Sequence, residues 1–438
     1  MRRILLAATA MTLIGGGAAL ADSQTDNAPV VATTTTHGVT VAGGLQSQTQ
    51  GVGNVLTVSA PVGTFTTAGD TQTVGANPIS ATSTLRNSTV SGISSVSSLA
   101  EGNDMEVNPT NTISYSNGGP SSTQTTDHGG PITAATRVKH VEFTGDTTVS
   151  AAAIGNNYAA SSQSGTVGFW ASQGNDAAET ATVVLHNTNV AGGALSSVAQ
   201  AVGNSVSAGG LLNTANYNAV SQENRYAGQT ATQNLSGDNL LSTGNTVLAS
   251  AEGNVASLGQ PSSLFGASQD NAAGGETATV NLQNATVNGD FSAQAAGNVL
   301  SFDATNGSTI VEQNDRAPST SNMNVSGPVV LNASATFGSL AVGNQFSGTL
   351  SPLVNGVPDQ QSSAAIDANS SISGVQAQGF GAAVNTTAAG NLASLTTPGG
   401  FSQVNTGAPT AIASISGSSF GGGLTVATAA LGNSISIK

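Results

Sequence analysis

The sequence predicts an all-β chain: a parallel β-solenoid of nine repeats of about 47 residues. Three observations predict it. A Gly-Asn pair returns along the whole chain, a Gln precedes each pair at an almost constant interval, and a strand-like alternation lies between them.

The Gly-Asn pairs are Gly53-Asn54, Gly102-Asn103, Gly155-Asn156, Gly203-Asn204, Gly253-Asn254, Gly297-Asn298, Gly343-Asn344, Gly390-Asn391 and Gly432-Asn433, spaced 42 to 53 residues apart. Two residues before the Gly stands Ala in eight copies and Gly51 in the first. An apolar residue follows the Asn by two, and in seven copies Ser or Thr comes next. The unit reads A-x-G-N-x-Φ-[ST], with Φ apolar.

The second landmark is Gln24, Gln72, Gln124, Gln173, Gln222, Gln269, Gln313, Gln361 and Gln403, each 28 to 31 residues ahead of its Gly. These mark the expected repeat starts. From each Asn to the next Gln the gap varies from 12 to 21 residues, so length variation falls in one segment: the Gln-to-Asn stretch is framework and the rest is loop.

Within the framework, Thr180 to Val190 and Thr277 to Val287 show the pattern [ST]-A-x-x-x-Φ-x-[NG]-x-x-Φ. Ala181, Val183 and Leu185 alternate with Thr180, Thr182 and Val184, a period of two that belongs to strands. The Asn-or-Gly slot is filled by Gly38, Asn87, Asn187, Gly237, Asn284, Gly327, Gly374 and Gly417, with His140 as the exception. Asn and Gly tolerate positive φ, so the slot reads as a left-handed corner between two short strands.

A repeat with so few aliphatic residues cannot bury a core alone, whereas stacked copies line up their Val, Leu and Ala into a continuous interior. Stacking also aligns the corners. Asn54, Asn103, Asn156, Asn204, Asn254, Asn298, Asn344, Asn391 and Asn433 are then candidates for a structural ladder, because a side-chain amide both donates and accepts. The competing reading has each Asn cap only its own turn. One wide coil per repeat and two smaller coils both fit the pattern.

Composition narrows the function. Charged residues are 7% and aromatic residues 4% of the 438-residue chain, and the net charge is −14, which argues against a nucleic-acid partner. With no Cys there is no disulfide, zinc-thiolate site or thioether-linked lipid. Residues 1–21 read as a secretory signal peptide: Arg2 and Arg3, an apolar run to Leu20, and Ala19-Leu20-Ala21 before Asp22. Residues 22–438 form one repeat domain, in which six cations face 22 acids, a net charge of −16.

Chemistry has little to work with. His37, His128, His140 and His186 form no metal-ligand pair, three of them falling at or beside the corner slot, where they read as turn residues. No G-x-S-x-G elbow or G-G-x-G-x-D calcium repeat is present. Asp303 or Asp315 with Glu312 reads as a solvated loop. No catalytic, cofactor-binding or metal-binding residue is assigned, and no cofactor is expected. Thr82 with Thr84, Thr180 with Thr182, Thr230 with Thr232 and Thr277 with Thr279 would stack into ranks, as on an ice-binding surface or simply as an outward strand face. A polysaccharide-cleaving β-helix enzyme is a further alternative, for which Trp170 is the one tryptophan.

The stretch Ser47-Gln-Thr-Gln50-Gly-Val-Gly53-Asn54 and the recurring A-x-G-N followed by Gln resemble curlin repeats, although a curlin unit is about half as long and its second Gln follows the Asn closely, whereas Gln72 is 18 residues past Asn54. In size and repeat style, residues 22 to 438 look more like the holdfast anchor family HfaD of stalked alphaproteobacteria. That resemblance implies an outer-membrane-associated surface protein attaching an adhesive polysaccharide to the cell envelope, with curlin-like and secretion-pore partners and self-association. The stop five residues after Asn433 leads to the expectation of an uncapped last coil whose strand edges template another chain.

Overall fold

A computed structural model describes residues 9–13, 23–58, 64–67, 69–108, 112–115, 122–127, 130–161, 166–209, 211–212, 218–226, 228–259, 264–304, 308–350, 358–396 and 400–437. Every regular element among them is a β-strand, and no helix is long and apolar enough to cross a membrane. Adjacent repeats lie side by side as parallel strands in register, with Asn156 beside Asn204, Asn204 beside Asn254 and Asn254 beside Asn298. One repeat therefore makes one coil of a parallel β-solenoid. At the usual strand spacing, nine coils would span about 43 Å.

A representative coil has three main strands, with the two-residue strand Asn189–Val190 between the second and the third. Trp170–Asn175 carries Gln173 and joins a nine-stranded sheet with its counterparts. Glu179–His186 alternates strictly between buried and half-exposed residues, with Ala181, Val183 and Leu185 inward and Thr180, Thr182 and Val184 outward. Leu195–Ala208 carries the Gly-Asn pair. Between the second and third strands the slot residue takes positive φ throughout: 49° at Asn87, 51° at Asn187 and Asn284, and 55° to 77° at Gly38, Gly237, Gly327, Gly374 and Gly417. His140, the exception by residue type, adopts the same conformation at φ 54°. Position in the coil overrides residue preference there.

The Gly-Asn pair lies inside a long strand. In Ser94–Val107 the alternation of burial gives way to four consecutive buried residues, Ala100 to Asn103, before it resumes in the opposite phase. The strand thus turns the corner without ending. Glycine serves here by its size: a Cβ at Gly203 would lie 2.6 Å from the carbonyl oxygen of Gly253 in the next coil and 3.0 Å from Gln229 Nε2.

The core divides at this corner. One apolar column includes Leu85, Val138, Leu185, Leu235, Leu282 and Val325, stacked coil upon coil. A second lies beyond the Asn, where Leu56, Met105, Tyr158, Val206, Leu300 and Phe346 pack against residues just ahead of the Gln, such as Ala171 and Val220. The Phe302 and Phe346 rings meet edge-on at 5.2 Å.

One repeat start is corrected by a residue. Gln360, and not Gln361, pairs with Gln313 and Gln403. Gln360 is buried and Gln361 exposed, because alternation along the strand allows only one of two neighbouring glutamines to point inward. The expected signal segment lies outside the described residues except for Thr9–Leu13, which pairs in parallel with Asn54–Val58.

Candidate functional site

The nine asparagines come together in one column. Nδ2 of Asn54 donates to Oδ1 of Asn103 at 2.8 Å, and the same bond recurs at 2.7–2.8 Å from Asn103, Asn156, Asn204, Asn254, Asn298, Asn344 and Asn391 to the next in line, ending at Asn433. The second hydrogen of each amide closes the coil, as in the bonds from Asn204 to the Glu223 carbonyl at 3.0 Å and from Asn254 to the Asp270 carbonyl at 3.1 Å. These carbonyls belong to the residue just after the framework Gln.

The glutamines form a second ladder facing the first. Gln72 Nε2 donates to Gln24 Oε1 at 2.9 Å, and the pattern continues through Gln124, Gln173, Gln222, Gln269, Gln313, Gln360 and Gln403, each donating to the coil before it at 2.7–2.9 Å. Their other hydrogens reach the residue just after the Asn: Gln173 to the Ser205 carbonyl at 2.8 Å and Gln222 to the Val255 carbonyl at 2.9 Å. Each strand is thus clasped to the other by buried amides that bond both within the coil and to its neighbour, which is how such polar groups are tolerated in a core. The clasp also accounts for the near-constant Gln-to-Gly interval, since changing it would break both ladders. The two ladders have opposite polarity: the Asn amides donate toward the last coil and the Gln amides toward the first.

Beside the glycine runs a polar column that sequence reasoning missed. Asn175, Asn224 and Asn271 donate in turn at 2.8–2.9 Å, the last to Asp315 Oδ1. Gln229 Nε2 donates to Glu179 Oε2 at 2.8 Å, and Ser319 Oγ to Glu276 Oε2 at 3.0 Å. Burial pushes the carboxyl of Glu179 up to about 8 and that of Asp315 up to about 7. Burial first, and then the Asp315 charge, raise Glu276 well above the usual carboxylate range. Asp315 is fully buried and not part of a solvated loop, Glu312 is exposed, and the Asp303 side chain lies outside the described set. A sequence signal existed: Glu179, Gln229 and Glu276 each precede Thr-Ala-Thr at the same strand position in three successive repeats.

The histidines sit at the slot turns. His37 Nε2 lies 3.0 Å from Asn87 Nδ2, His140 and His186 meet edge-on at 5.4 Å, and His128 lies outside the described residues. Among the described residues no three His, Cys, Asp or Glu gather as a metal centre. On the outward face Thr180, Thr230 and Thr277 align in register, as do Thr182, Thr232 and Thr279. Thr82 belongs to the second row, but Thr84 falls one row further, level with Arg137 and Val184. The second row is broken by Ala135, Asn322 and Ile412. Next to it, Asn324, Asn281 and Asn234 make a short outward ladder with bonds of 3.0 and 2.8 Å.

No curated protein and no solved structure matches the chain. Residues 225–438 match the family model described as HfaD, holdfast attachment protein D, and over that part of the chain the resemblance carried by the repeats is to a family of attachment proteins.

Proposed function

We propose that this chain is exported under the signal of residues 1–21 and serves at the cell surface as a structural anchor that joins an adhesive polysaccharide to the outer envelope. The observation that carries the reading is the holdfast attachment match over residues 225–438. It falls on a rod whose recurrent side chains, among the described residues, hold coil to coil. Curlin-like and secretion-pore proteins are the partners this reading calls for.

The outward Thr and Asn rows are the proposed polysaccharide contact, since they offer a flat field of uncharged donors and acceptors matched to sugar hydroxyls. Ice binding, which the same Thr rows favour, needs ranks longer than those interrupted at Ala135 and Asn322.

Deleting the protein in the producing cell should leave the adhesive polysaccharide synthesised but shed into the medium, and restoring it should retain the polymer on the cell. Equal retention with and without the protein would sink the anchor reading. Thr182→Lys with Thr232→Lys should reduce retention while leaving surface protein levels unchanged.

A further inference from the structure

We propose that an outward corner of the first four coils is a phosphate-binding face, by which the rod lies against the phosphate headgroups of a lipid surface.

Six cations stand outside residues 1–21. Arg225 and Arg316 are paired with Glu223 and Asp270, and Lys438 lies outside the described residues. The other three, Arg86, Arg137 and Lys139, fall together. Parallel pairing places His37, Arg86, Lys139 and His186 in one row across four successive coils. Arg137 stands two residues before Lys139 on the same outward face, between Thr84 and Val184. At strand spacing the backbones of Arg86 and Lys139 are about 4.8 Å apart, and those of Arg137 and Lys139 about 6.7 Å. Arg86 and Arg137 are exposed and Lys139 is half-buried; among the described residues none of the three side chains has an ion pair or hydrogen bond. The histidines that flank the row are held by amides, with Asn87 Nδ2 3.0 Å from His37 Nε2 and Asn187 Nδ2 3.0 Å from His186 Nε2.

The fold does not require this arrangement. Like charges directly opposite on neighbouring strands are destabilising, and in the next coils the same row is filled by Ser236, Gln283 and Ser326. Acids keep clear of the row as well. On the four strands concerned, Val30–His37, Ile79–Val90, Ile132–Phe143 and Glu179–His186, the carboxylates are Glu179, which is buried, and Glu142, which stands beyond the turn in register with Thr89 and Asn189. In a chain of net charge −14, three unpaired cations over adjacent coils mark a place kept for an anion.

The planar fork of arginine matches phosphate oxygens. The corner is an open strand face bordered by short side chains such as Thr84 and Ser236, so it does not enclose a small ion, and exposed contacts to a free anion are screened by salt. A lipid surface presents many phosphates at once and engages the cations together. The inference rests on the anchor reading for its setting: there the polysaccharide lies on the neutral Thr and Asn rows, and the envelope side has no contact of its own. The face falls within residues 37–186, outside the segment matched to the attachment family.

Vesicle flotation with the purified exported protein tests it. The native protein should float with vesicles of phosphatidylcholine and phosphatidic acid in equal parts, stay behind with phosphatidylcholine alone, and be released as salt is raised. Arg86→Gln with Lys139→Gln should weaken binding by about tenfold or more. Its melting temperature should not change, because neither side chain has a partner in the fold. Arg225→Gln with Arg316→Gln removes the same charge elsewhere and should bind as the native protein does. Equal loss in the two double variants would make overall charge the cause and overturn the proposal, as would equal binding to the two kinds of vesicle. Release by inorganic phosphate at the concentration of the lipid phosphate would assign the face to a free anion, and preference for a soluble polyuronate would assign it to an acidic polymer; either result overturns the lipid contact. Flotation needs no polysaccharide, so it can fail while the protein still retains polymer on the cell, and can succeed where polymer retention does not depend on the protein.

Discussion

A single ladder amide satisfies several groups at once. Asn204 accepts from Asn156 and donates to Asn254 and to the Glu223 carbonyl. Asn204→Ala therefore leaves three buried partners unmatched, at about 1–3 kcal/mol for each such group. Asn254→Ala does the same one coil along. Their shared bond is counted in both single variants, so the double variant should lose less than the sum by about 0.5–3 kcal/mol, measured by chemical denaturation; strict additivity would show that each Asn caps only its own turn. Gly203→Ala tests the close approach. Its Cβ would meet the Gly253 carbonyl at 2.6 Å, and a loss of about 1–3 kcal/mol is expected from overpacking. The recurrence of Asn was plain in the sequence, but the reason for its glycine was not: a residue required by space between coils and one required by positive φ look the same in a single chain.

A framework strand obeys alternation more strictly than it obeys residue identity. The nine strand positions and the left-handed slot were legible because each rests on a local rule, period two in one case and tolerance of positive φ in the other. Gln361 was misread because counting intervals alone could not choose between adjacent glutamines, whereas the inward direction of Gln360 does. Gln360→Ala should lower stability measurably, removing the bond to Gln313 and the one received from Gln403. Gln361→Ala should stay within about 0.5 kcal/mol of the native protein, as exposed substitutions usually do. Equal losses at the two positions would restore the original register. The Asn175 to Asp315 column escaped notice because it changes residue type from coil to coil, and only stacking shows that Thr126, Asn175, Asn224, Asn271 and Asp315 share one column.

The whole rod carries acids inside it, and their protons tie its stability to pH. The Glu179 carboxyl is held up to about 8 from an ordinary 4.5. Between those limits the folded chain keeps a proton that the unfolded chain releases. Stability from this source is complete below about 4.5 and is lost as pH rises through about 8; Asp315, raised to about 7, contributes in the same sense. The protein should resist denaturant better at pH 5 than at pH 8.5, by on the order of a few kcal/mol. Glu179→Gln, which places in this coil the residue its neighbour already carries at Gln229, should flatten that slope and stabilise the alkaline form. An unchanged slope would mean Glu179 is ionised in the fold.

The direction of the coil-to-coil bonds has a mechanical meaning. Both amide ladders and the parallel strand pairing run along the rod, so a pull between its ends does not shear all coils together but loads the outermost one first. A tether of this kind pays out length in instalments, each coil of 42 to 53 residues adding roughly 140–190 Å of extended chain while the coils behind it stay closed. Single-molecule extension should therefore show a sawtooth with that step, and a single long rupture would exclude it. A cell held through such a rod would absorb a sudden tug by lengthening, and would recover its grip as the coils wound back.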